Sequence, residues 1–297
     1  MYFTNIMKFI TAIKTPYTKK GRIDLDAFSK LVQRQIDASI DGIVVSGTTG
    51  EGHLMNWTEQ IMLIRHAVNN FGKDIKIIAN VGANCSNEAI RATDNCFGLG
   101  IDYALQINPY YGKVCDRGMF RHLSTLMEFG PTILYNVPSR TGQDIPVHVV
   151  NSLSKHANFA GIKECHSADR SVHHLQNGIT VWSGNDDEAP DLLKKGAGVI
   201  SVASNIVPKF TKNLSSATSE DLEKNQILYD WLFKYPNPIG VNTAMAMMGL
   251  CEPVFRMPYL PLERKEREEG KRILEEHFGV ENINVLNDPD FLIKDKF

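Results

Sequence analysis

The sequence predicts an α/β protein, a (β/α)8 TIM barrel followed by a C-terminal helical appendage. Three observations lead there. Eight short β-rich runs recur along the chain, and most are continuously apolar, the pattern of strands buried on both faces of a parallel sheet. Stretches with helical periodicity separate them. The Gly-rich GxGxxG turn expected after the first strand of a doubly wound sheet, the structural rival, is missing.

The eight predicted strands are Phe9–Lys14, Gly42–Ser46, Ile75–Val81, Tyr103–Asn108, Thr132–Val137, Phe159–Lys163, Ile179–Ser183 and Gly198–Ala203. After Asp24, a helix N-cap by residue type, Leu25, Phe28, Leu31, Val32 and Ile36 form one apolar stripe. Asn56 with Glu59 three residues on gives a capping signal, and Ile61, Ile64, Ala67, Val68 and Phe71 follow it. Ser86 opens a third helix carrying Ala89, Ile90, Thr93, Cys96 and Phe97. From Ser219 the rhythm turns purely helical, over Ser219–Lys234, Asn242–Leu250 and Leu262–Phe278. The division is a catalytic barrel over 1–218 and an all-helical domain over 219–297. The charge run Glu263–Glu269 reads as a solvated helix face.

The 297 residues are 43% hydrophobic and 22% charged, so disorder and fibrous folds are not expected. Lys and Arg number 32 against 34 acids, a net charge of −2 that gives no electrostatic case for nucleic acid or an anionic membrane. No apolar run is long enough to span a bilayer, and MYFTNIMKF lacks the pattern of a secretory signal. Five scattered cysteines without a CxxC pair suggest a reducing compartment and neither zinc nor disulfides. The expected location is cytoplasmic, or the plastid stroma if a transit peptide has been removed.

In such a barrel, catalytic groups sit at the C-terminal strand ends and in the loops beyond. The second strand ends in Gly47-Thr48-Thr49-Gly50-Glu51-Gly52, which is no Walker loop but offers hydroxyls and N–H groups suited to a small carboxylate. It serves equally as a tight βα turn. Tyr111 and Tyr135, beside polar loops, are placed as acid–base hydroxyls, and Arg140 is available to clamp a carboxylate or to make a structural salt bridge. The sixth strand ends in Lys163. An inward lysine there is costly unless used, and desolvation favours the neutral, nucleophilic amine; outward snorkelling is the alternative. His173 and His174 read as a solvated surface, Glu51 with His53 lacks a third metal ligand, and Trp57 and Trp182 read as core aromatics.

Gly47-Thr48-Thr49-Gly50-Glu51, Tyr135-Asn136-Val137-Pro138-Ser139-Arg140-Thr141-Gly142 and Gly161-Ile162-Lys163-Glu164 together resemble the dihydrodipicolinate synthase family. This family belongs to the class I pyruvate-dependent aldolases, with N-acetylneuraminate lyase. Ile10–Tyr17, Trp182–Glu188 and Pro236-Asn237-Pro238-Ile239-Gly240 are similar to its plant-type branch. The resemblance covers essentially the whole chain. It implies that Lys163 forms a Schiff base with pyruvate and that Tyr135 is the acid–base hydroxyl. It implies a relay through Thr49 and Tyr111, the latter from a neighbouring subunit of a homotetramer. Thr48 and Thr49 would hold the pyruvate carboxylate, Arg140 the carboxylate of L-aspartate 4-semialdehyde, and Gly184 and Ile200 would line the pocket. No metal or organic cofactor is implied. The product would feed lysine and diaminopimelate biosynthesis.

The resemblance also implies allosteric inhibition by L-lysine at Glu51, His53, Trp57, Asn84, Glu88 and Tyr110. Two positions depart from the plant-type pattern, His53 in place of Gln and Gln60 in place of His. Two alternatives are a sugar-acid aldolase of the N-acetylneuraminate lyase kind and a catalytically silent paralogue that binds lysine or pyruvate. The Ser139–Gly142 segment speaks against the first. The joint presence of Lys163, Tyr135, Thr49 and Arg140 speaks against the second.

Overall fold

The computed structural model describes residues 7–295; the start of the N-terminal segment read above lies outside the described residues. Eight parallel strands close into a barrel in chain order: β1 (Phe9–Ala12), β2 (Gly42–Val45), β3 (Lys76–Asn80), β4 (Tyr103–Ile107), β5 (Thr132–Asn136), β6 (Phe159–Glu164), β7 (Val181–Ser183) and β8 (Gly198–Ser201). All eight predicted strands are present, each trimmed or extended by a residue or two at an end. Helices α1 (Leu25–Asp37), α2 (Trp57–Phe71), α3 (Ser86–Leu99), α4 (Asp116–Met127), α5 (Pro138–Thr141), α6 (Val147–Leu153), α7 (Ala168–Gln176), α8 (Ala189–Lys194) and α9 (Pro208–Lys212) run between and after them. Asp24 caps α1 through the Ala27 amide at 3.0 Å, and Asn56 with Glu59 forms a full capping box on α2.

Alternation along the strands builds two layers of core. Val44, Ile78, Leu105, Ile133 and Trp182 fill the barrel interior, whereas Ile43, Val45, Ile77 and Ala79 face the helices. Strand β6 breaks strict alternation. Ala160 and Lys163, an odd number of residues apart, both belong to the inner side, because the β5–β6 register slips between Thr132 and Ile133. Gly161 occupies that bulge with φ 144°, and a Cβ there would meet the Thr180 carbonyl oxygen at 2.5 Å. The bulge thus turns Lys163 into the barrel.

The C-terminal region carries α10 (Ser219–Leu232), α11 (Ile239–Met247) and α12 (Arg264–Phe278), near the predicted spans. It is not all-helical. Strand β9 (Val254–Arg256) pairs in parallel with β10 (Leu292–Lys294), a three-residue ladder too short to carry a sequence period. Arg256 on β9 is fully buried, 2.6 Å from Glu59 and 2.8 Å from the Gly21 carbonyl. The charge run at 263–269 is a solvated face only in part. Glu266 and Arg267 are buried, Arg267 donating to the Leu262 carbonyl and to Asp288, both at 2.6 Å. Leu228, Trp231, Leu232 and Val241 join the same apolar cluster as Phe28, Ile43 and Ile64, so the appendage packs onto the barrel.

The reading of His174 also changes. His173 is exposed, but His174 is fully buried with its Nε2 3.5 Å from the Glu164 carboxylate. That carboxylate accepts from Asn136 at 2.9 Å and from the His166 amide at 2.8 Å, cross-tying β5 and β6 behind the active face.

Candidate active site

At the C-terminal mouth of the barrel lies a cavity of about 530 Å³. Its floor holds Lys163 from β6 and Tyr135 from β5, and its sides Thr48, Thr49, Arg140 and Gly184. Strand geometry explains the first pair. Tyr135 and Lys163 are register partners, and the lysine nitrogen lies 4.5 Å from the centre of the tyrosine ring. Both side chains are buried. Burial lowers the Lys163 amine below its ordinary value, Arg140 adds to that, and Cys165 and Asp186 oppose it. Burial likewise raises Tyr135, so its phenol keeps its proton at neutral pH.

The Gly47–Gly52 loop is closed by the Gly52 amide on the Gly47 carbonyl at 3.1 Å. Both of its threonines line the cavity with Tyr135; Thr49 accepts from Asn237 at 3.0 Å. Glu51 fixes the loop from beneath. Its buried carboxylate lies 3.3 Å from the Lys14 amine and accepts from Asn242 of α11.

Arg140 stands in α5, directly after β5, with Nη2 donating to the Asn237 carbonyl at 3.1 Å. Gly184 follows β7, and the space a side chain would take is filled: a Cβ there would lie 2.1 Å from the Cys165 sulfur and 2.8 Å from Lys163 Cε. Ile200 is fully buried within the barrel interior and is absent from the cavity wall. Tyr111 also stays outside. It is 97% exposed, with φ 68°.

Four residues of the cavity carry chemistry that the sequence reading left unassigned. Cys165 lies against Lys163 beside Tyr135, and burial pushes its thiol up to about 11. Asp186 accepts from the Val202 and Ala203 amides at 2.9 and 3.2 Å, and burial raises its carboxyl. Tyr229 and Asn237 reach over from the C-terminal region. Asp186 and Asn237 stand within motifs that carried the resemblance. Tyr229 had no local signal, because only the packing of α10 over the barrel mouth brings it there.

A second cavity of about 450 Å³ adjoins the first. It is lined by His53, Trp57, Glu88 and Tyr110, and it shares Thr48, Tyr135 and Arg140 with the first. Asn84 accepts from the Tyr110 amide at 2.7 Å beside it. Glu51 does not join this group, since its carboxylate turns into the core toward Lys14. Gln60 lines the cavity while tethering the Gly52 and Met55 carbonyls, and Tyr259 from the C-terminal region closes it, 2.8 Å from His53 Nε2. Among the described residues no group of three or more His, Cys, Asp or Glu is arranged to hold a metal ion. Among those residues no helix is long and apolar enough to cross a membrane.

The chain is 50% identical over 296 residues to the chloroplastic 4-hydroxy-tetrahydrodipicolinate synthase 1 of Arabidopsis thaliana, a match spanning 97% of this chain and 81% of that protein. The chloride-inhibited dihydrodipicolinate synthase of Acinetobacter baumannii, solved with pyruvate, superposes with a TM-score of 0.87 at 34% identity, over 93% of this chain and all of the other. The Cyanidioschyzon merolae enzyme solved with lysine bound superposes with a TM-score of 0.84 at 26% identity, over 90% and 96% of the two chains. The model of the dihydrodipicolinate synthetase family matches residues 5–277, and this chain belongs to that family.

Proposed function

We propose that the chain is a lyase that condenses pyruvate with L-aspartate 4-semialdehyde through a Schiff base on Lys163, giving 4-hydroxy-tetrahydrodipicolinate for lysine synthesis. The observation that carries this reading is a desolvated lysine at the mouth of the barrel, against a protonated tyrosine and beside two threonines and an arginine. The names of the relatives and the pyruvate complex of the Acinetobacter enzyme support it.

The neutral Lys163 amine adds to the pyruvate ketone while Thr48 and Thr49 hold the carboxylate. Tyr135 donates its proton to the departing hydroxyl, water leaves, and an iminium remains. The iminium draws electrons from the pyruvate methyl, which gives up a proton to form the enamine. The enamine carbon attacks the aldehyde of the second substrate, whose carboxylate Arg140 receives. The amine of that substrate then adds to the iminium carbon and displaces Lys163 as the ring closes. Thr49, which lines the cavity with Tyr135, and Tyr111 of a neighbouring copy complete the proton relay.

The fully exposed Tyr111 supports a homotetrameric assembly in which a second copy covers this loop and receives the phenol in its own cavity. The second cavity is read as an effector site for L-lysine, supported by its acid and aromatics and by the lysine complex of the Cyanidioschyzon enzyme. The chloroplastic relatives support a plastid setting.

A coupled assay tests the reaction. Turnover of both substrates, reported by NADPH loss through dihydrodipicolinate reductase, is expected for the native chain and lost by orders of magnitude in Lys163→Ala. Pyruvate trapped on Lys163 by borohydride without turnover would point instead to a sugar-acid aldolase.

A further inference from the structure

Asn237 lies in the segment between α10 and α11, outside the barrel proper, yet it touches both substrate-binding groups. Its side-chain Nδ2 donates to Thr49 Oγ1 at 3.0 Å, and its main-chain carbonyl accepts from Arg140 Nη2 at 3.1 Å. Thr49 is buried and lines the cavity. A threonine hydroxyl has one proton and two lone pairs, whereas an amide NH2 can only donate. With a lone pair of Thr49 occupied by Asn237, the hydroxyl proton is free to point elsewhere.

We infer that Asn237 is a positioning residue that sets the polarity of the Thr49 hydroxyl, turning its proton into the cavity to meet the carboxylate of the 2-oxo acid. This rests on the reading that the threonine loop holds pyruvate. It gives the C-terminal region a chemical part in the site. One residue orients the donor for the first carboxylate and, through its backbone, holds the arginine that faces the second.

The inference makes an isosteric variant worse than a truncated one. Asn237→Ala removes the partner and leaves the hydroxyl free to turn. Asn237→Asp keeps the shape but reverses the bond, because a carboxylate only accepts. Thr49 then donates to Asp and presents lone pairs to the pyruvate carboxylate.

Borohydride trapping of pyruvate on the full chain gives the half-saturating pyruvate concentration for each variant, with melting temperatures as a fold control. Asn237→Ala is expected to raise it roughly threefold to tenfold, and Asn237→Asp by about thirtyfold or more, the range for hydrogen bonds to charged groups. In a Thr49→Val background the gap between Asp and Ala closes. An Asp variant that binds pyruvate as well as the Ala variant, or better, overturns the inference, since Asn237 would then serve only by its shape. A gap that persists without the Thr49 hydroxyl also overturns it, because simple charge repulsion would be the cause. If Asn237→Asp does not fold, Asn237→Ala and Thr49→Val decide. A combined penalty no larger than the greater single one supports the inference, and additive penalties overturn it. Failure of the native chain to trap pyruvate at all would instead remove the underlying reading, and the inference with it.

Discussion

The Lys163 amine lies 4.5 Å from the centre of the Tyr135 ring, on the paired positions of β5 and β6. Two opposite influences meet there. The ring face favours a cation, by about 0.5–2 kcal/mol in general. Burial disfavours it and holds the amine below its ordinary value. The neutral nucleophile is favoured before reaction, and in the proposed mechanism the ring then faces the iminium cation.

This separation of roles predicts distinct losses at Tyr135. Tyr135→Phe keeps the ring and removes the proton donor. Turnover should fall by about 10²–10⁴-fold, the usual range for a positioned acid–base group. The melting temperature should hardly move. Tyr135→Leu removes ring and hydroxyl and should lose more. Equal turnover in native and Phe proteins would exclude the phenol as the proton donor.

Lys163 also gives a signed pH dependence. The trapping rate should rise with pH as the amine loses its proton, then flatten, with a midpoint below the ordinary lysine value of 10.5. The Asp186 carboxylate favours the charged amine, so Asp186→Asn should move the midpoint down. The Arg140 charge does the opposite, so Arg140→Gln should move it up. Shifts of the same sign in both variants would show that another group controls the profile.

Gly184 should tolerate no side chain. An alanine Cβ would lie 2.1 Å from the Cys165 sulfur and 2.8 Å from Lys163 Cε. Gly184→Ala should cost about 1–3 kcal/mol in denaturant melts and lower the trapping rate. Adding Cys165→Ala should recover stability more than trapping, because the contact with Lys163 Cε persists. A stable, fully active Gly184→Ala protein would contradict this packing.

What the sequence made legible tracks the length scale of each signal. The barrel strands announced themselves because both faces of each are buried, which writes a continuous apolar run. Asp24 and the Asn56–Glu59 box were visible because caps act over three residues. The β9–β10 ladder pairs segments nearly forty residues apart with three residues each, leaving no local period. The burial of His174 and Arg267 depends on partners elsewhere in the fold, Glu164 and Asp288. The site was legible through strand ends and motif resemblance. Motif order did not reveal that Thr49 accepts from Asn237, that Glu51 turns away to Lys14, or that Ile200 is buried outside the cavity lining.

Arg256 should hold the C-terminal tail to the barrel. It bonds Glu59 at 2.6 Å and the Gly21 carbonyl at 2.8 Å, on the strand that receives β10. Arg256→Met leaves both acceptors without their guanidinium, and breaking a buried pair costs about 3–5 kcal/mol in general. A loss near the lower end is expected in denaturant melts, since Glu59 keeps some solvent contact. The further change Glu59→Gln should recover part of it. A single-variant loss under about 1 kcal/mol would mean that the pair does not anchor the tail.

The second cavity gives the last test. L-lysine brings two ammonium groups, a carboxylate and an apolar stem. Glu88 offers a carboxylate for an ammonium group, and Trp57 and Tyr110 offer faces for the stem. Thr48, Tyr135 and Arg140 belong to both cavity walls, so a ligand in the second presses on groups that act in the first. Lysine should therefore raise the melting temperature and lower turnover together. Glu88→Ala should weaken both effects by roughly 10–100-fold, the scale of one lost charge-assisted bond. Its uninhibited turnover and pyruvate trapping should stay at native levels, because Glu88 lines only the second cavity. Inhibition that survives Glu88→Ala unchanged would place lysine elsewhere, and lysine that neither shifts melting nor slows turnover would leave this cavity without an effector role.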